Sequence, residues 1–336
     1  MAILVTGGAG YIGSHTCVAL LNAGYDITVV DNFSNSKPSS LKRVTEITGK
    51  EFRIHNVSLL DKVGLEKVFS DGEIDAVIHF AGLKSVCESL TMPLQYYYNN
   101  IMGTVVLCET MQKFGTRHMV FSSSATVYGG HGHKALAEDQ PLAPINPYGQ
   151  TKMMLEQILT DQCAANPKWS VALLRYFNPV GAHESALIGE DPNGVPNNLV
   201  PYITQVAIGK LKELTIYGND YPTHDGTCIR DYIHILDLAN AHLKALRYVF
   251  STSGIEAFNV GSGRGYSVLD VIDAFQKASG IEIPRRIGPR RPGDVPVSLA
   301  DVSRAKTLLQ WQAEYDLLAM CRDSWRWQLN NPNGYS

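Results

Sequence analysis

Residues 2–32 read AILVTGGAGYIGSHTCVALLNAGYDITVVDN. A run of branched residues, Ile3 to Val5, enters a glycine-rich loop and then an apolar-periodic segment that stops at Gly24. A second branched run, Ile27 to Val30, ends on Asp31. Strand, helix and strand within about thirty residues is the size of one βαβ unit. Gly7, Gly10 and Gly13 lie three apart, and Gly8 allows a G-x-G-x-x-G reading as well. The glycines answer separate demands: a tight turn, close backbone approach to a pyrophosphate, and close packing of helix on strand. The helix N-terminus then receives the pyrophosphate. Asp31 stands near the ~20-residue spacing at which an acid meets the ribose hydroxyls. Its charge repels a 2′-phosphate, so the stretch predicts a site for NAD in preference to NADP.

Working outward, strand patterns recur at Ala76 to Phe80, His118 to Ser122 and Val171 to Tyr176, with helical patterns between them. Such alternation predicts a parallel sheet covered on both faces, the doubly wound α/β architecture. In these sheets the ligand crevice lies beyond the carboxyl ends of the strands. The segments that follow the strands, Ala81 to Lys84, Ser122 to Thr126 and Phe177-Asn178, are therefore expected to converge on one site. Further along, RDYIHILDLANAHLKAL (230–246) reads as a return to the larger lobe. A second glycine-rich loop, NVGSGRGYS (259–267), lacks a following strand with a terminal acid, so it reads as a turn with Ser267 as the N-cap of the next helix.

The bulk properties set limits on partners. The chain has 336 residues, 45% hydrophobic and 18% charged, with a formal net charge of −3. That is enough for a large core and two lobes. The charge balance argues against a general nucleic-acid or anionic-membrane surface. One basic cluster, RRIGPRR (285–291), runs against that background and reads as a local anion site or a solvated edge. Six scattered cysteines without a C-x-x-C pair suggest a reducing compartment and no zinc knuckle, and no metal site is expected. No basic leader precedes the first strand, and no apolar run approaches the ~20 residues of a membrane span. Cytoplasm is the expected location.

The stretch NPYGQTK (146–152) bears on chemistry. Asn146 suits an N-cap and Pro147 the first helical position, which puts Tyr148 in the first turn and Lys152 one turn later on the same face. A free phenol has a pKa near ~10. A neighbouring ammonium and the positive end of the helix dipole favour its ionised form. Alone, such a pair is also an ordinary solvated face of an amphipathic helix.

Assembled with the glycine loop and FSSSATVYG (121–129), the chain resembles the extended short-chain dehydrogenase/reductase family, within it the enzymes that invert a carbon of a UDP-linked hexose. The resemblance runs nearly end to end, through DNFSNSK, VIHFAGLK, LLRYFNPVGAH, PNNL, IYGNDYPTHDGTCIRDYIH and PRRPGDVP. It implies a doubly wound parallel-sheet Rossmann domain over 1–176 plus about 231–262. A smaller mixed α/β C-terminal substrate domain would take about 177–230 and 263–336. It also implies a homodimer, and redox-neutral interconversion of UDP-glucose and UDP-galactose at C4 through a 4-keto sugar, with tightly bound NAD. Tyr148 would then be the catalytic base and acid. Lys152 would lower its pKa and hold the nicotinamide ribose, and Ser124 would hydrogen-bond the reacting oxygen. The cofactor would be lined by Gly7, Gly10, Tyr11, Ile12, Gly13, Asp31, Asn32, Phe33, Ser34, Asn35, Ser36, Ser58, Leu59, Phe80, Ala81, Gly82, Leu83, Lys84, Asn99 and Phe177. The nucleotide-sugar would meet Lys84, Ser124, Ala125, Thr126, Asn178, Asn197, Asn198, Leu199, Ile216, Tyr217, Arg230, Arg291, Asp294 and Ser298. Arginine forks suit phosphate oxygens.

Three positions depart from the family's usual pattern. Val57-Ser58-Leu59 replaces a Gly-Asp, so Ser58 offers the adenine amino group an acceptor without a full charge. Cys87 replaces a glycine and reads as small packing. Ser298 replaces a residue that can be a bulky tyrosine, leaving room for a 2-N-acetyl group and hence for UDP-GlcNAc and UDP-GalNAc. Dehydration of the sugar needs an extra acid and base where this chain has Ala125 and Thr126, which disfavours it. A net dehydrogenase and a non-catalytic NAD-sensing protein are the alternatives. Among smaller features, His131 and His133 form a weak metal pair, and His79 reads as a satisfied core group. SWRWQ (324–328) reads as packing of a terminal helix and NNPNGYS (330–336) as a frayed tail.

Overall fold

The computed structural model describes residues 1–130, 135–291 and 293–335. Its strands, in chain order, are β1 Ala2–Thr6, β2 Asp26–Asp31, β3 Arg53–Asn56, β4 Ala76–His79, β5 His118–Ser124, β6 Ser170–Tyr176, β7 Asn178–Val180, β8 Leu214–Tyr217, β9 Ile229–His234, β10 Gly254–Val260, β11 Gly265–Ser267, β12 Arg285–Gly288 and β13 Val297–Ser298. Seven of them form one sheet in the order β10-β6-β5-β4-β1-β2-β3, parallel throughout. The order reverses between β1 and β4, the switch point where such sheets open a crevice. Alternate residues of β1 explain the two covered faces. Ile3 and Val5 pack into a cluster with helices Tyr11–Asn22 and Ile235–Ser251, whereas Leu4 packs with Leu65, Leu107 and Leu155 on the other side. Each such buried side chain contributes roughly 1.5–3 kcal/mol.

The smaller lobe is built from dispersed pieces. β9 pairs antiparallel with β11 and parallel with β13 and β7, while β8 pairs with β12. Its core gathers Val200, Ile203, Ile216, Tyr232, Phe275 and Trp325. The RDYIH part of the expected return belongs to β9 in this smaller sheet. The helix that follows, Ile235–Ser251, packs on helix Tyr11–Asn22, and β10 then joins the large sheet beside β6.

Several small expectations are met. Ser267 caps helix Val268–Ser279 in a reciprocal capping box with Asp270. His79 is buried between Thr6 Oγ1 at 2.7 Å and Thr104 Oγ1 at 2.9 Å, a satisfied core group. Trp325 and Trp327 pack inward from helix Leu317–Asn330. His131 and His133 lie outside the described residues.

Two readings are corrected. Cys87 is exposed on the short helix Val86–Thr91, so the position is a surface and not a packing site. The segment after Asn330 is anchored, because Asn331 and Tyr335 are buried. Composition alone suggested fraying; the tail's partners lie far away in sequence, at Ala186, Gly189 and Asp191. The edge strand β3 carried too weak an alternation to be read.

Candidate active site

The glycine loop follows β1 directly. Gly7 takes φ +71° and lies so close to Ala81 that an added Cβ would stand 2.7 Å from the Ala81 nitrogen. A Cβ on Gly13 would run into the Gly7 carbonyl oxygen. The loop can therefore be built only from glycine at these two places. Helix Tyr11–Asn22 begins at Gly10 with no side-chain cap, so its first N–H groups can receive an anion. Asp31 ends β2, accepting from Ala9 N at 3.0 Å, Phe33 N at 2.9 Å and Ser36 Oγ at 2.8 Å. These bonds hold Asn32 to Ser36 folded over the strand end, with Phe33 at φ 53°. A pyrophosphate and an adjoining ribose fit this cradle.

The segment Phe80 to Lys84 after β4 is pinned by Asn100. That side chain accepts from Leu83 N at 2.8 Å and donates to Leu83 O at 3.0 Å and to Thr151 Oγ1 at 3.2 Å. Asn99 donates to the same Asn100 oxygen at 3.0 Å. The cofactor-side strand end is thereby tied to the helix that carries Tyr148. Ser58 and Leu59 follow β3, half-buried, with Ser58 Oγ accepting from Leu60 N at 3.3 Å.

That helix, Pro147–Ala165, starts where its sequence says it should, with Asn146 Oδ1 accepting from Gly149 N at 2.8 Å. Ser124 ends β5 and caps the turn Ala125–Tyr128, accepting from Thr126 N at 3.2 Å and Thr126 Oγ1 at 3.0 Å. Its hydroxyl also lies near enough to the Tyr148 phenol to favour the ionised form. Lys152 Nζ donates to Ser122 O at 2.5 Å and lies 4.9 Å from the Phe121 ring centre and 5.9 Å from that of Tyr148.

The electrostatics differ from the expectation. Burial pushes the Tyr148 phenol up to about 12, opposed only by the neighbouring Ser124 hydroxyl. Burial also lowers Lys152 to about 8, partly offset by Glu156. The lysine, engaged by the Ser122 carbonyl and itself buried, does not offset the desolvation of the half-buried phenol. Desolvation outweighs proximity.

Sequence reasoning missed the support beneath these groups. Glu156 continues the Tyr148, Lys152 ladder by one more turn. Its carboxylate accepts from Ser123 Oγ at 2.5 Å and takes a two-pronged grip from Arg175 at 2.7 and 3.0 Å. Arg175 also donates to Tyr128 OH at 2.9 Å. The pair is buried, so each charge depends on the other. The i, i+4, i+8 spacing was the available signal.

In the smaller lobe, Asp294 bridges two cations. Arg291 Nε lies 2.9 Å from one carboxylate oxygen and Arg230 Nη2 3.4 Å from the other. Arg230 also donates to Val295 O at 2.8 Å, and Arg291 sits 5.0 Å over the exposed Tyr217 ring. Ser298 is paired with Arg230 across β13 and β9. Asn178 donates to Asp231 O at 2.9 Å, and Asn198 to Glu190 Oε1 at 2.9 Å. Asn197 is exposed, and Leu199 opens helix Leu199–Ala207. Ile216 is not brought to this group; its side chain is buried in the smaller lobe's core. The rest of the basic cluster is solvated edge: Arg286 pairs with Glu213, and Arg290 with Asp220.

Residues 3–261 match the model of the NAD dependent epimerase/dehydratase family. The chain belongs to that family. It is 60% identical over 335 residues to the UDP-glucose 4-epimerase of Bacillus subtilis, spanning 100% of this chain and 99% of that one. The fold matches the crystal structure of the Bifidobacterium longum UDP-glucose 4-epimerase in complex with NAD+ and UDP, with a TM-score of 0.96 and 50% identity over 99% of this chain and 100% of that chain. It also matches the enzyme from Stenotrophomonas maltophila with bound NAD and formylated UDP-arabinopyranose, at a TM-score of 0.97 and 49% identity over 99% of each chain. The epimerase is an isomerase with UDP-glucose 4-epimerase activity, and NAD is its cofactor. No helix among the described residues is long and apolar enough to cross a membrane.

Proposed function

We propose that the epimerase interconverts UDP-glucose and UDP-galactose, with Tyr148 as base and acid, Ser124 orienting the reacting oxygen, and Lys152 fixing the charge around them. The observation that carries this reading is the placement of the Ser124 hydroxyl, at the end of β5, beside the Tyr148 phenol whose pKa it lowers, with Lys152 one turn behind. NAD, when bound, supplies the acceptor and donor of hydride and a fixed positive charge. The chain's own part is protonic and mechanical. Tyr148 takes the proton of the C4 hydroxyl and later returns it, so the sugar passes through a 4-keto form with no net oxidation. Arg230 and Arg291 hold the diphosphate while the hexose turns over. Ala125 and Thr126 leave no acid beside the sugar, so water is not eliminated.

On this reading the cofactor lobe comprises 1–176 with a return from Ile235 to about 262, and the remainder holds the nucleotide-sugar. Exposed Leu94, Tyr98, Met102 and Met154 on neighbouring helices support a homodimer through that face. Unpaired cysteines support a reducing, cytoplasmic setting. Small Ser298 beside Arg230 supports turnover of UDP-GlcNAc and UDP-GalNAc as well; no turnover of UDP-GlcNAc under conditions where UDP-galactose reacts would remove that extension. The main test is incubation of the purified protein with UDP-galactose and no added cofactor. UDP-glucose should form without accumulation of NADH. Stoichiometric NADH would mean a net dehydrogenase, and no product a protein that only binds NAD.

A further inference from the structure

The loop Asn32–Ser36 is closed from outside by a part of the chain about three hundred residues away in sequence, the segment assigned above to a frayed tail. Asp191 Oδ2 receives two donors at once, Lys37 Nζ at 2.9 Å and Tyr335 N at 3.0 Å. Lys37 Nζ also donates to Tyr335 O at 3.2 Å, which closes a three-way tie. Gly334 makes the approach possible. It takes φ +77°, and a Cβ there would collide with the Asp191 carboxylate. The Tyr335 hydroxyl accepts from Gly189 N at 3.1 Å and donates to Gly189 O at 3.2 Å, so the tyrosine grips the same segment with both backbone and side chain. Its ring lies 5.0 Å beneath the Arg43 guanidinium, which comes from the helix that follows the loop, Pro38–Thr48. A second tie runs directly across, Asn193 Nδ2 to Asn35 Oδ1 at 2.9 Å.

We propose that Lys37, Asp191 and Tyr335 form a clasp that holds the cofactor loop shut and sets the rate at which NAD leaves. The inference rests on the reading of Asp31 to Ser36 as the cofactor loop. An enzyme that regenerates its cofactor in each cycle needs no exchange, and a closed loop suppresses it. The ion pair is the adjustable part. Lys37 is 41% exposed and open to screening by salt, while Asp191 at 15% is more enclosed and depends on both donors. None of the three side chains belongs to the catalytic group, so the clasp acts on retention and not on turnover.

The test is NAD release from the purified holoenzyme, followed as loss of bound NAD after mixing with an excess of an NAD-hydrolysing trap. Asp191→Asn keeps the shape and weakens both charge-assisted bonds, and release should quicken by about tenfold. Tyr335→Ala should quicken it at least as much. With NAD added in excess both variants should regain wild-type kcat, which a general loss of folding would not allow. Raising salt should speed release from the wild type and leave Asp191→Asn nearly unchanged. Wild-type release rates in Asp191→Asn overturn the clasp, and this isosteric variant decides the matter if Tyr335→Ala fails to fold. Asp31→Ala separates the two levels of the argument. If it loses NAD while Asp191→Asn and Tyr335→Ala keep it, only the clasp falls; if it keeps NAD, the reading of the cofactor loop falls.

Discussion

At the Tyr148 end of the crevice the polar groups are few, desolvated and held from behind by a buried Glu156–Arg175 pair. At the Arg291 end they are an exposed Arg291 over Tyr217 and a more enclosed Arg230, with Asp294 between the two. Burial at the first end raises the cost of charge, so each proton has a definite place. At the second, a preformed acid holds the geometry of the two cations. An epimerase needs both: a hexose that is free to turn and a nucleotide that is not. The difference shows that chemistry rests on desolvation and grip on paired charge.

The comparison breaks most easily at Tyr148. Tyr148→Phe removes only the proton carrier, so kcat should fall by about a thousandfold while bound NAD and the fold persist, as read by turnover and cofactor content. Lys152→Met should cost roughly a hundredfold in kcat. Its pH profile sharpens the point. Burial lowers the lysine from 10.5 to about 8, so its cation is present below that pH and disappears as pH rises through it. The wild type should lose activity on the alkaline side of that value, and Lys152→Met should lack the descending limb. At the other end, Arg230→Ala should raise KM for UDP-glucose about tenfold with kcat little changed, the signature of lost uniform binding. Arg291→Ala should do the same more weakly. Smallest of all is the salt effect: Arg291, with half its side chain exposed, should lose its contribution at high ionic strength sooner than the enclosed Arg230.

The cofactor lobe was legible because its signals are local. Gly7, Gly10, Gly13 and Asp31 fall within one βαβ unit, and Asn146, Pro147 and Tyr148 specify a helix start in three residues. The smaller lobe is different. β7, β11 and β13 are two or three residues long, too short to show a period, and they meet only in the folded chain. The convergence of Tyr217, Arg230, Arg291 and Asp294 came from the family resemblance, not from any pattern. The Asp191–Tyr335 tie joins distant segments and leaves no local mark, and the helical spacing that marks Glu156 does not reveal its partner Arg175. The direction of the Tyr148 shift was misread for a related reason. Spacing along a helix reveals a neighbour, whereas desolvation depends on everything packed around it.

On this reading the protein alone keeps the Tyr148 phenol protonated, and the charge of a bound cofactor is needed to ionise it. Ultraviolet difference titration of the phenolate, wild type against Tyr148→Phe, tests it in NAD-loaded and NAD-stripped protein. Ionisation is expected below the free value of ~10 when NAD is bound, and near 12 when it is stripped. Equal titration in the two forms, or a loaded phenol no more acidic than free tyrosine, would contradict it.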